Sequence, residues 1–247
     1  MTLFAAAVLV GTLLVPTSVA PEYVALGDSY ASGVGAGGTK GPCRRSDNAY
    51  PALYAKGFPS FTFAACTGAT TADVVGTQSN SLTPATTLVT VTAGGNDLGF
   101  VDVMTTCTLS GDKSCVKRVK RAETYIHAEL PKALDATYAK IKQLAPNARL
   151  VVVGYPRLFE PSTDCRALSP AKRTAVNAAA DVLNDATAKA AANAGATYVD
   201  VRAKFSGHGV CSASPWINGL VSPTSHSYHP NKAGQQGYWQ ALTAAAP

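Results

Sequence analysis

Val24-Ala25-Leu26-Gly27-Asp28-Ser29-Tyr30-Ala31-Ser32-Gly33 is the stretch whose reading decides the fold. An apolar run with β character, Tyr23 to Leu26, stops at Gly27, and a serine follows two positions later. Gly33, Gly35, Gly37 and Gly38 keep the next turns of chain nearly free of side chains. A serine at the carboxyl end of a buried strand lies where open α/β sheets bind their ligands. The N–H groups of the turn that follows can face a developing negative charge. Ser29 is therefore the candidate nucleophile.

Working outward, runs of strand length recur at Phe61–Ala65, Thr87–Thr92, Leu150–Gly154 and Thr197–Val201. Their Val, Thr, Tyr and Phe content suits buried strands. Helical patterns separate them. Ser114–Ala145 has apolar residues at three- and four-residue steps, with Pro131 bending or dividing it. Ser169–Asn193 opens on an N-cap serine and a first-turn proline, and Asn231–Ala245 forms the last helix. Alternation of this kind predicts an α/β fold, a three-layer α/β/α sandwich on a five-stranded, mainly parallel sheet. If the sheet has flavodoxin-like order, the loops after the first three strands carry Ser29, Gly68 and Asn96 to one rim.

Residues 1–20 read as a secretory signal peptide, with an apolar Leu3–Val15 and small residues at Ser18-Val19-Ala20, although no basic n-region is present. Residues 21–247 read as a single domain, soluble and secreted. Hydrophobic residues make up 47% of the 247 and charged residues 15%, which allows a large core and argues against disorder. A net charge of +6 without a Lys/Arg run is weak evidence for nucleic acid; it reads first as a solvated basic surface, and attraction to anionic surfaces or phospholipid headgroups fits as well. The six cysteines fit an oxidising compartment and include no C-x-x-C pair. Of the fifteen possible pairings, the economical one joins neighbours: Cys43–Cys66, Cys107–Cys115 and Cys165–Cys211.

A serine hydroxyl needs a base. Of the four histidines, His127 lies within the long helix, His208 in a glycine-flanked loop, and His229 just before the final helix. A loop at that point can swing an imidazole over the carboxyl edge of the sheet. No carboxylate stands close before His229, so a main-chain carbonyl, that of His226, is the candidate orienter of the base. The N–H groups of Ser29 and Gly68 and the side-chain amide of Asn96 are candidate oxyanion donors, while Asp28 and Asp97 are read as loop supports. His226 and His229 have no carboxylate or cysteine nearby to complete a metal set, and no P-loop or Gly-x-Ser-x-Gly motif is present. No metal or cofactor is expected.

Gly27-Asp28-Ser29, the glycine of Cys66-Thr67-Gly68, Gly94-Gly95-Asn96-Asp97 and Tyr228-His229-Pro230-Asn231 stand in an order that resembles the four blocks of the SGNH (GDSL) hydrolase family. The likeness spans nearly the whole mature chain and is closest to secreted actinobacterial lipases, esterases and phospholipases A1. It implies Ser29 as nucleophile, His229 as base, Gly68 and Asn96 as oxyanion partners, and three sequential disulfides. His226 departs from the pattern, since many members carry aspartate three residues before the histidine. The expected activity is hydrolysis of carboxylic esters through an acyl-enzyme. The protein is expected to be a monomer in transient contact with lipid interfaces. Phospholipase A1, an acetyl-polysaccharide esterase and an inactive lipid- or glycan-binding relative are the alternatives.

Overall fold

A computed structural model describes residues 20–161 and 165–246. The expected signal peptide therefore lies outside the described residues, save Ala20. Five strands form the central sheet: β1 (Glu22–Gly27), β2 (Ser60–Phe63), β3 (Leu88–Thr92), β4 (Arg149–Val153) and β5 (Thr197–Val199). Their order is β2-β1-β3-β4-β5, the flavodoxin-like order, and every pairing is parallel. Val24 aligns with Thr62 on one side and Val89 on the other. β1 and β3 are thus central, and their apolar runs are buried on both faces, as parallel strands between helical layers require.

Among the described residues, eight α-helices surround the sheet. They are α1 (Ser29–Ser32), α2 (Tyr50–Tyr54), α3 (Thr71–Gly76), α4 (Phe100–Leu109), α5 (Asp112–Ala128), α6 (Leu130–Leu144), α7 (Pro170–Asn193) and α8 (Lys232–Ala245). α2 and α8 pack together, while α3, α6 and α7 form a second layer and α4 and α5 extend it. The long helical pattern divides at Glu129, and Pro131 occupies the first turn of α6, where its missing N–H leaves no bond unmade.

α4 was not anticipated. Val101, Val103, Thr105, Thr106 and Thr108 give it weak helical propensity. Tertiary restraints hold it instead: the Cys107–Cys115 disulfide and an ion pair from Arg118 to Asp102 tie it to α5. Cys43–Cys66 and Cys165–Cys211 complete the bridges, the same three neighbouring pairs that economy suggested. α5 also revises the reading of the positive charge. Lys113, Lys117, Lys120 and Arg121, spread out in sequence, gather along one exposed groove of the helix.

Candidate active site

The site begins where β1 ends. A Cβ at Gly27 would stand 2.4 Å from the Thr92 carbonyl oxygen, and its φ of 131° is strained for any other residue. Gln78, a residue with no sequence signal, is buried and bonds both to the Gly27 N–H (2.7 Å) and to its carbonyl (2.8 Å). Asp28 then caps α1, its Oδ1 accepting from the Tyr30 N–H at 2.9 Å. The cap turns Ser29 out of the strand direction and into the first turn of α1.

His229 Nε2 lies 2.7 Å from Ser29 Oγ, and both residues are buried. Its Nδ1 is 2.9 Å from the carbonyl oxygen of Ser227. A carbonyl only accepts, so Nδ1 carries the hydrogen and Nε2 offers its lone pair to the serine hydroxyl. The orienting carbonyl belongs to Ser227 and not to His226, as the sequence reading had it. The His226 carbonyl accepts instead from the Asn218 side-chain amide at 3.2 Å. Two residues, rather than three, is the reach at which the carbonyl can meet the ring of His229 here.

The loop before α8 is held from several sides. Asn218 exchanges main-chain bonds with Tyr228 and His229, and its side-chain amide also reaches the Gly35 carbonyl at 3.2 Å. Tyr228 has φ 61°, and the Tyr30 hydroxyl donates to its carbonyl at 2.7 Å. Gly35 gives the loop room, since a Cβ there would stand 3.0 Å from His229 Cβ. The rings of Tyr30 and Phe100 pack 5.3 and 5.9 Å from the imidazole. Burial, with smaller help from the charges of His226 and Arg44, pulls the His229 pKa from 6.5 to about 4. The ring is neutral at ordinary pH and free to accept a proton.

The two remaining loops meet the same rim. Asn96 Nδ2 spends one hydrogen on the Ala69 carbonyl at 2.9 Å and keeps a second. Asp97 accepts from the Thr71 N–H and hydroxyl, binding the third loop to the start of α3. Among the described residues, the N–H groups of Ser29 and Gly68 have no protein acceptor. Gly68 is exposed and borders a separate shallow groove with Cys43 and Cys66, whereas Ser29 and Asn96 border the apolar cavity described below.

Tyr155, just beyond β4, was missed because a tyrosine after an apolar strand carries no local signal. Its hydroxyl donates to Asp28 Oδ2 at 2.6 Å and accepts from the Gly95 N–H at 3.2 Å. Burial raises the Asp28 pKa from 3.8 to about 7 against these donors. One phenol thus ties the serine turn to the loop carrying Asn96. Beside Ser29 opens an apolar cavity of about 60 Å³, bordered by Leu98, Phe100 and Met104 and, across it, Tyr155, Ala180 and Leu183. Among the described residues no group of His, Cys, Asp and Glu could hold a metal ion.

Comparison with known proteins agrees with this geometry. The model of the GDSL-like lipase/acylhydrolase family matches residues 25–236. Lipase 1 of Streptomyces coelicolor is 48% identical over 93% of this chain and 88% of its own. A phospholipase A1 from Streptomyces albidoflavus superposes with a TM-score of 0.90 at 46% identity, covering 92% of this chain and all of its own. An extracellular lipase from Streptomyces rimosus gives 0.89 at 46% identity with the same coverage. A buried serine–imidazole contact on this sheet, within a match that spans nearly the whole fold, makes the protein a carboxylic ester hydrolase belonging to the GDSL-like lipase/acylhydrolase family, in its actinobacterial lipase branch.

Proposed function

We propose that residues 1–20 are removed on export and that residues 21–247 act as one monomeric domain on lipid carboxylic esters, with Ser29 as nucleophile and His229 as base. Ser29 Oγ attacks the ester carbonyl carbon as its proton passes to His229 Nε2. The Ser227 carbonyl holds the imidazolium through Nδ1–H. The Ser29 and Gly68 N–H groups and the free Asn96 hydrogen receive the oxyanion. As the carbon–oxygen bond to the alcohol breaks, His229 returns its proton to the leaving oxygen, and an acyl-Ser29 ester remains. Water then attacks that ester and gives a proton to His229. Collapse releases the carboxylic acid, and the proton returns to Ser29 Oγ.

The observation that carries the reading is the unbroken line from Ser29 Oγ through both ring nitrogens to the Ser227 carbonyl. The narrow apolar cavity beside Ser29 supports an acyl chain rather than an acetyl group as the acid part. Export is supported by the three disulfides and by the likeness to an extracellular lipase. The test is labelling with a fluorophosphonate, which phosphonylates an activated serine, followed by digestion and mass spectrometry. The adduct is expected on Ser29; active protein labelled elsewhere, or not at all, refutes the mechanism.

A further inference from the structure

Arg44 is the residue the ester mechanism leaves without a role. Its φ of 51° is one that a side-chain-bearing L residue adopts only when its surroundings impose it. The surroundings here are firm. The preceding Cys43 is bridged to Cys66, the Arg44 N–H donates to the Gly41 carbonyl at 3.1 Å, and the Thr67 N–H donates to the Cys43 carbonyl at 3.1 Å. That backbone turn sends two successive arginines different ways. Arg45 folds inward onto the carbonyls of Ala65 and Ala64, with its guanidinium over the Phe63 ring. Arg44 instead reaches across to donate to the hydroxyl of Ser225, in the short turn Thr224–His226 before His229.

Arg44 makes no ion pair among the described residues. Its one side-chain partner is a neutral, exposed hydroxyl, so most of the guanidinium donors remain open. Its position is also defined. It lies between the loop of Gly68, which is bonded to Cys43, and the turn Thr224–His226 that leads to His229. Neither Arg44 nor Ser225 borders the apolar cavity. The guanidinium therefore lies outside the part of the site that would take the acid part of the ester.

We propose that Arg44 and the Ser225 hydroxyl form a subsite for the phosphate of a glycerophospholipid bound as substrate, with its scissile acyl chain in the apolar cavity. An alcohol part that carries a phosphodiester one glycerol away from the ester suits an unpaired guanidinium there, whose planar fork matches two phosphate oxygens. The inference rests on Ser29 acting as the nucleophile.

The test compares kcat/KM on dihexanoylphosphatidylcholine, kept monomeric below its micellar concentration, with kcat/KM on dihexanoylglycerol. Wild type, Arg44→Ala, Arg44→Lys and Ser225→Ala are measured, with the fluorophosphonate labelling rate of Ser29 as a record of the catalytic pair. Arg44→Ala is expected to lower the phospholipid-to-diacylglycerol ratio about tenfold, the order of one charge-assisted bond at a half-exposed site. Arg44→Lys recovers part of it, because charge survives and the fork does not. Equal loss on both substrates makes Arg44 a support of the His229 loop and overturns the subsite. The same variants are assayed in parallel on phosphatidylglycerol vesicles; a loss confined to the vesicles assigns Arg44 to surface attraction, alongside the basic groove of α5, and overturns it too. Wild type without labelled Ser29 removes the mechanism itself, a failure separate from either.

Discussion

Tyr155→Phe removes a single oxygen and with it two buried bonds, those to Asp28 Oδ2 (2.6 Å) and from the Gly95 N–H (3.2 Å). The Gly95 N–H is left without a partner inside the protein, at about 1–3 kcal/mol, and the bond to the carboxyl is worth about 1.5–3 kcal/mol when Asp28 is ionised and nearer 1 when it is neutral. The Asp28 pKa of about 7 makes the loss depend on pH in a defined direction. A folded-state pKa above the unfolded value means that Asp28 contributes most at low pH and that its contribution declines as pH rises from about 4 to about 7. The phenol is among the donors that hold the value down. Without it the Asp28 pKa rises further, and the decline continues past pH 7 by about 1.4 kcal/mol per unit. Urea unfolding with the disulfides intact, at pH 5.5 and 8.5, measures both. The variant is expected to lose about 2–3 kcal/mol at pH 5.5 and about 1 kcal/mol more at pH 8.5. The His229 titration is common to both proteins and cancels in the difference. Turnover should fall about tenfold, since the Asn96 loop loses its tie to the serine turn. A destabilisation below about 1 kcal/mol, or one equal at both pH values, would show that Asp28 and Gly95 do not depend on this hydroxyl.

Three further outcomes separate the parts of the site. His229→Ala is expected to lower kcat on p-nitrophenyl esters by about 10⁴ or more, and His226→Ala by no more than about threefold, because the orienting carbonyl belongs to Ser227. A collapse of activity in folded His226→Ala would mean that its imidazole takes part. The acid limb of kcat/KM should fall near pH 4 rather than 6.5, since burial keeps His229 neutral until then and only the neutral ring can take the serine proton; a limb at 6.5 would place the base in water. Ala180→Leu puts three more carbon atoms beside the apolar cavity and should lower the octanoate-to-acetate ratio of kcat/KM about tenfold or more, at about 0.8 kcal/mol per displaced methylene. An unchanged ratio would place the acyl chain elsewhere.

Ser29 and the buried parallel strands were legible in sequence for a local reason, whereas the order of the strands came with the family resemblance. The period and composition of buried parallel strands do not depend on what packs against them, and a serine just past such a strand has one place to go. α4 was hidden because its β-branched residues argue against a helix, and a disulfide and an ion pair to α5 override that preference. Tyr155 and Gln78 were hidden because their partners lie 127 and 51 residues away, at Asp28 and Gly27.

The sequence by itself determined the alternation of strand and helix, the glycine that ends β1, and the chemistry of the groups delivered to the rim. Tertiary structure alone decided which carbonyl meets the imidazole. Ser227 and His226 are neighbours in the chain, and only the folded loop, clamped by Asn218 and Tyr30, sets which one faces Nδ1. It also decided that Arg44 reaches Ser225, in the turn before His229, while Arg45 turns away. Spacing along a chain constrains the direction of a backbone dipole or a side chain weakly once the chain leaves regular structure. Packing against distant segments supplies the rest.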